Sequence, residues 1–184
     1  MLKVGILGTG TMAKTHASGY RCIEGVQVAA FADEFPGSLE QIAKDYQAKA
    51  YVKYDDLIND PELDIIDVCL PTPLHKEFAI KAVQAGKHTF CEKPLARHLD
   101  DAIEIKKVVD ASKVKFMVGH VVRFFPEFIT IKHLIDQGKL GKIGIARSCR
   151  NSGMPHGIKE WYHNQEMSGG VVLDLIIHDF DFMN

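Results

Sequence analysis

The sequence predicts an α/β fold, a doubly wound parallel sheet followed by the beginning of an incomplete α+β domain, and three observations carry that expectation. Residues 2–13 read as a short β-rich apolar run that meets Gly8 and Gly10 and turns directly into a helical pattern through Met12, Ala13, His16, Tyr20 and Ile23. Short apolar runs then alternate with segments of helical periodicity, and the sixth strand closes by residue 119. From Arg123 the alternation stops, which places a first domain at 1–121 and the start of a second at 122–184.

Taken in order, the first helix is expected to run to about residue 24, with Gly25 as a left-handed stop before a strand over Val26–Ala32 that ends in Asp33. Leu39, Ile42, Ala43 and Tyr46 mark a second helix, with Ser38 and Gln41 spaced as a capping box. A short strand at 50–52 and a helical turn at 55–58 follow, and beyond Pro61 the apolar run 65–70 suits a central parallel strand. Pro71-Thr72-Pro73 ends that strand. A helix at 74–85 closes on Gly86, and a strand at 88–91 empties into Glu92-Lys93-Pro94. Asp100 or Asp101 caps a helix carrying Ile103, Ile105, Val108 and Val109, and 114–119 forms the sixth strand. In the second region Phe124-Phe125-Pro126 leads into a helix to about Gln137, then a strand at 143–149. The aperiodic stretch 151–165, with Gly153, Pro155 and Gly157, reads as a surface loop of a length that often covers a site. Ser168-Gly169-Gly170 opens a strongly apolar helix at 171–182.

Composition narrows the function classes. The chain has 184 residues, 46% hydrophobic and 25% charged, with a net charge of −2, as in a soluble globular protein. That balance offers no basic face for nucleic acid, and no apolar run approaches the length of a membrane span. The N-terminus enters a strand at once, so no secretory leader is expected. Cys22, Cys69, Cys91 and Cys149 lack Cys-x-x-Cys spacing, which predicts reduced, mostly buried thiols in a cytoplasmic protein and no zinc.

The chemistry is expected at the strand ends. In Gly8-x-Gly10-x-x-Ala13, the first glycine permits a tight bend and the second lets backbone approach a pyrophosphate; the small Ala13 lets helix and strand pack. The free N–H groups of the helix start then face the phosphates. An ordinary strand-to-helix turn can carry the same glycines, but Asp33, 25 residues after Gly8, stands where an acid grips the adenosine ribose. Asp33 and its neighbour Glu34 repel a 2′-phosphate, so NAD is expected in preference to NADP. Ligands of an open parallel sheet bind beyond the C-terminal strand ends, which brings in Gly8, Thr9, Gly10, Thr11, Met12, Asp33, Pro71, Thr72, His75, Glu92 and Lys93. Lys93 precedes a proline that restricts its backbone to extended conformations, so its amine can be aimed at the mouth of the site; a solvated surface lysine is the plainer alternative. Asp174 and His178, four residues apart, share one face of the last helix and need partners if buried. A simple helical Asp–His hydrogen bond would provide them. A metal pair would need His156, Glu160 or His163 from the loop, and without a compact ligand motif no metal is expected.

Three segments, Gly8-Thr9-Gly10, the run Ala-Gly-Lys-His-Thr-Phe-Cys-Glu92-Lys93-Pro94, and Gly169-Gly170-x-x-x-Asp174-x-x-x-His178, together resemble the glucose-fructose oxidoreductase, inositol dehydrogenase and rhizopine catabolism protein family (Gfo/Idh/MocA). The resemblance implies a Rossmann domain, a catalytic group of Lys93, Asp174 and His178, and hydride transfer between nicotinamide and a carbinol carbon of a sugar, cyclitol or related polyol. His178 would take the hydroxyl proton, Lys93 would hydrogen-bond the same oxygen, and Asp174 would orient the lysine. Thr72 and His75 match positions near the nicotinamide end. Family members usually continue well beyond the Asp and His helix into an open sheet for substrate binding and subunit contacts. The full-length form is accordingly expected to be a homo-oligomer, and the chain as given to bind NAD with little turnover. The same fold also serves dinucleotide-binding regulators, and some relatives use NAD in glycoside cleavage. The intact Lys93, Asp174 and His178 set favours the dehydrogenase.

Overall fold

The computed structural model describes residues 1–35, 37–151 and 163–184, and they form two compact units, Met1–Val118 and Gly119–Asn184. The first unit alternates β1 (Leu2–Leu7), α1 (Thr11–Tyr20), β2 (Val26–Ala32), α2 (Leu39–Tyr46), β3 (Lys49–Tyr51), α3 (Tyr54–Ile58), β4 (Ile65–Val68), α4 (Thr72–Gln84), β5 (His88–Cys91), α5 (Leu99–Asp110) and β6 (Phe116–Val118). All five strand pairs are parallel, in the order β3-β2-β1-β4-β5-β6. The strand order reverses between β1 and β4, and the crevice beyond their C-terminal ends is where this architecture takes ligands.

Side-chain alternation distributes the core over both faces. Val4 and Ile6 of β1 pack with Ala13 and Ala17 of α1 and with Leu39 and Ile42 of α2, while Leu7 joins Leu57, Ile66, Val68, Phe78 and Ala82 on the opposite face. β2 shows what a single irregularity does. The β1–β2 register jumps from Val4↔Val28 to Gly5↔Ala30, leaving Ala29 as an extra residue. Because side-chain direction has period two, that bulge lets Val28 and Phe31 share one face while Ala30 and Ala32 take the other. Gly5 is closely packed, since a Cβ there would lie 2.6 Å from Leu63 and 2.7 Å from Leu57 side-chain carbons, which would have to shift.

Several boundaries differ from expectation. α1 ends at Tyr20, four residues early, and Ile23 is 51% exposed in the turn that follows. The inward face of α1 is built on Ala13 and Ala17, and Gly25 takes its left-handed φ of 79° as a turn residue before β2. Ser38 precedes α2 but makes no capping bond; its hydroxyl pairs with Thr9, and Gln41 bonds Asp45 instead of reaching back. β3 lies at 49–51, one residue early. His98 occupies the cap position of α5, and Asp100 and Asp101 fall in its first turn, where their charge still favours the helix dipole. Cys22 and Cys149 are exposed, Cys69 is partly buried and Cys91 fully so; all four are free thiols.

In the second unit a 3-10 turn (Val121–Phe124) leads into α6 (Pro126–Asp136), followed after residue 162 by α7 (Gln165–Ser168), α8 (Gly170–Asp174) and α9 (Ile177–Met183). The strand expected at 143–149 does not form: that segment carries no regular secondary structure and has no ladder partner among the described residues. A β-type sequence becomes a strand only when another strand satisfies its N–H and C=O groups. The expected loop at 151–165 falls largely outside the described residues.

The single helix expected at 171–182 is broken. Gly169 and Gly170 both adopt left-handed φ, 79° and 76°, which ends α7 before α8 can start. At the next break both Leu175 and Ile176 N–H groups reach back to the Val171 carbonyl, and His178 N–H bonds Leu175, so the i to i−4 ladder is lost between α8 and α9. Apolar periodicity carried no sign of this, because Asp179 and Asp181 are held by Arg150 and Arg123 from elsewhere in the chain.

Candidate functional site

The glycine turn joins β1 to α1. Gly8 has φ 96°, and a Cβ on it would stand 2.5 Å from the Cys69 carbonyl oxygen, so both its conformation and its neighbour demand glycine. A Cβ on Gly10 would meet nothing within 4 Å, leaving open space where a ligand could approach the backbone. Gly10 caps α1 with no side-chain bond, and no acid occupies the first turn. The N–H groups of Thr11, Met12 and Ala13 therefore open the helix with no Gly10 side-chain cap and no acid in their own turn, which suits a pyrophosphate.

Asp33, directly after β2, is tied to this turn. Its Oδ2 accepts the Thr9 N–H at 2.9 Å and the Thr9 hydroxyl at 2.7 Å, and its Oδ1 accepts the Phe35 N–H at 2.8 Å. Ser38 closes the group through a 2.6 Å contact with the Thr9 hydroxyl. Thr9, only 3% exposed, thus locks the carboxylate to the turn, while the acceptor capacity left on the Asp33 Oδ1 can serve the ribose.

The ends of β4 and β5 supply the next segments. Pro71 caps α4, Thr72 is buried at its first position, and the first turn of α4 again carries no acid. His75, 1% exposed, has Nδ1 2.8 Å from the Pro94 carbonyl oxygen and Nε2 2.7 Å from the Leu70 carbonyl oxygen. Its ring is thus engaged by backbone on both edges. Burial pushes its pKa below the ordinary histidine value, against the pull of those carbonyls. Lys93 is part-buried, and its N–H donates to its neighbour's Glu92 Oε2 at 3.2 Å.

A buried charged cluster was missed in the sequence. Asp67, with no exposure, points from β4 toward α1, where its Oδ2 meets His16 Nδ1 at 2.9 Å. His16 Nε2 meets Glu92 Oε1 at 3.0 Å, and Cys69 donates to Asp67 Oδ1 at 3.3 Å. Burial opposes charge on His16, but the hydrogen bonds to Asp67 and Glu92, reinforced by their charges, raise its pKa to about 10, making it an imidazolium at neutral pH. Burial and the charge of the same two carboxylates push the Cys69 thiol well up, and the ligand atoms of His16, Asp67 and Cys69 lie close enough together to hold a cation. The available signal was Asp67 itself, a lone acid inside the apolar run of a central strand, since a buried carboxylate needs a cationic or donor partner.

In the second unit Asp174 and His178 are each 7% exposed. The helix carrying His178 is held by two ion pairs. Asp179 accepts from Arg150 Nε at 2.7 Å and from the Ser148 hydroxyl, and Asp181 accepts from Arg123 Nε and Nη2, both at 2.6 Å. The arginine partners hold both aspartate pKa values below the usual range, partly against burial. The rings of His178 and His120 meet edge to face with centroids 6.3 Å apart. His163 is exposed, and His156 and Glu160 lie outside the described residues. The structure thus gathers Gly8, Thr9, Gly10 and Asp33 into one bonded arrangement in the first unit, and it buries Asp174 and His178 in the second. Among the described residues no helix is long and apolar enough to cross a membrane.

Residues 2–120 match a family model described as oxidoreductase family, NAD-binding Rossmann fold, and residues 128–184 match the GFO/IDH/MocA C-terminal domain. The chain is 32% identical over 181 residues to an inositol 2-dehydrogenase of Rhizobium meliloti, covering 98% of this chain and 53% of that protein. Among solved structures, a probable dehydrogenase from Thermotoga maritima superposes with a TM-score of 0.90 at 31% identity, covering 99% of this chain and 54% of the other. A scyllo-inositol dehydrogenase from Lactobacillus casei with bound NAD(H) and scyllo-inositol gives a TM-score of 0.88 at 27% identity, covering 100% and 55%. The chain spans about half the length of the curated relatives it matches.

Proposed function

The chain belongs to the GFO/IDH/MocA family of oxidoreductases, and from that premise we propose that it binds NAD at the Gly8–Gly10 turn and, in the protein that carries it, serves hydride transfer at a carbinol carbon of a sugar, cyclitol or related polyol. The observation that carries this reading is the Asp33 carboxylate bonded to Thr9 beside an uncapped, acid-free helix start. One end of that arrangement suits ribose and the other a pyrophosphate. When bound, the nicotinamide supplies the hydride acceptor. The Asp33 side chain accepts the ribose hydroxyls and disfavours a 2′-phosphate, which selects NAD over NADP. Lys93, at the end of β5, hydrogen-bonds the substrate hydroxyl oxygen. His178 takes the hydroxyl proton, a task for which imidazole is suited near neutral pH, and Asp174 orients the lysine. Inositol dehydrogenases among the relatives support a polyol substrate.

The test is NADH formation from a panel of cyclitols, sugars and sugar acids by the protein carrying this chain, followed by its absorbance. NADH formed from one or more polyols, and abolished in Lys93→Ala, supports the reading. Release of free sugar from a glycoside with no net NADH overturns it, as does turnover indifferent to Lys93.

A further inference from the structure

Lys93 sits between two residues that are each held by a histidine from a different helix. On its N-terminal side, Glu92 Oε1 is held at 3.0 Å by Nε2 of His16, whose Nδ1 is anchored 2.9 Å from Asp67 on β4. The Phe90 ring meets the same imidazole edge to face, with centroids 5.3 Å apart, which fixes the plane of the ring. On its C-terminal side the Pro94 carbonyl lies 2.8 Å from Nδ1 of His75, whose Nε2 lies 2.7 Å from the Leu70 carbonyl beyond β4. Glu92 also turns its second oxygen onto the Lys93 N–H. The backbone of Lys93 is thus fixed from α1 on one side and α4 on the other, with the end of β4 as the common anchor, and both imidazoles are spent on protein groups.

We propose that His16 and His75 are positioning residues for Lys93, a pair of clamps on Glu92 and Pro94 that set where its side chain begins relative to the glycine turn and α4. The proposal rests on the reading that Lys93 is the residue that meets substrate. His16 can hold both carboxylates only while both ring nitrogens carry hydrogens; a neutral imidazole donates through one, and one tie is released. The groups facing it are Asp67 and Cys69 from β4 and its end, Glu92 from the end of β5, and Tyr20 from its own helix through Asp67. That acid-rich setting keeps the ring protonated across the neutral range. His75 needs only one ring hydrogen for its tie, donated from Nδ1 to the Pro94 carbonyl.

The experiment reads Lys93 itself. The lysines of the chain are reductively methylated with a ¹³C label, and the Lys93 resonance is assigned by its loss in Lys93→Arg. Spectra of the NAD-bound chain are then compared for wild type, His16→Gln, His75→Gln and Thr15→Ala, a control on the exposed face of α1. The Lys93 resonance is expected to move toward that of exposed lysines such as Lys106 and Lys132 in both histidine variants and to stay in the control. Should His16→Gln fail to fold, Glu92→Met removes the acceptor of the same clamp while keeping a side chain of similar length. An unmoved Lys93 resonance in folded variants of both clamps overturns the proposal. Turnover that survives Lys93→Ala would overturn the catalytic reading, leaving the clamps to be judged by the resonance alone, so the two failures are separate.

Discussion

At the scale of single residues, Asp33 carries the cofactor preference. Like charges about 4 Å apart at an effective dielectric of about 20 repel by roughly 4 kcal/mol before screening. Asp33→Ser should therefore narrow or reverse the preference for NAD over NADP in a binding titration, and an unaltered ratio would remove Asp33 from the ribose site. Lys93→Ala and His178→Ala are each expected to lower turnover by about 10²- to 10⁴-fold, the usual contribution of a positioned acid or base, with NAD affinity held within a few-fold. A loss under about tenfold would assign the residue to structure. His16 makes a pH prediction. Its pKa of about 10 in the folded chain lies above the ordinary 6.5, so its stabilising contribution is complete below pH 6.5 and is lost as pH rises through 10. Urea unfolding at pH 6, 8 and 10 should show wild type losing stability with rising pH and His16→Gln losing less; parallel curves would contradict the charged ring.

At the scale of elements, the glycine turn and α9 are the two most exacting. Gly8→Ala places a side chain at φ 96° and 2.5 Å from a backbone oxygen. The left-handed conformation alone costs about 1–2 kcal/mol, so the total should exceed about 2 kcal/mol by chemical denaturation. A change within about 0.5 kcal/mol, typical of surface sites, would contradict the turn geometry. For α9, the Arg150 side chain is 25% exposed and that of Arg123 58%. Because exposed pairs contribute little, Arg150→Ala should speed amide exchange over 177–183 more than Arg123→Ala does. The reverse order would show that the exposed pair does the holding. The elements also show what was legible in the sequence. β1, β2, β5 and the glycine turn were readable because apolar runs met turn residues directly, and there local and tertiary preferences agree. The break at Leu175–Ile176 was not, because hydrogen-bond partners far along the chain, Ser148 and Arg150 for Asp179 and Arg123 for Asp181, outweigh helical periodicity. The His16–Asp67–Glu92 cluster was hidden for the same reason: its members lie 51 and 25 residues apart in sequence and meet only when β4 and β5 pair.

At the scale of the whole molecule, the two units differ in how they are held. The first buries Val4, Ile6, Leu7, Phe31, Leu57, Ile66 and Val68 almost completely, whereas Val122 is the one buried hydrophobic among the described residues of the second, whose other buried side chains are polar. Apolar burial is the main source of stability, so hydrogen exchange should be slow in β1, β2, β4 and β5 and faster throughout α6–α9. Equal protection in both units would contradict that division. The central claim, that the turn between β1 and α1 is an NAD site, is tested most directly by titrating the isotopically labelled chain with NAD and following its amide resonances. Saturable shifts at Gly8, Gly10, Thr11, Met12 and Asp33, with weaker ones from NADP at equal concentration, are the predicted result. Absence of saturable change at these residues, or tighter binding of NADP, would contradict it.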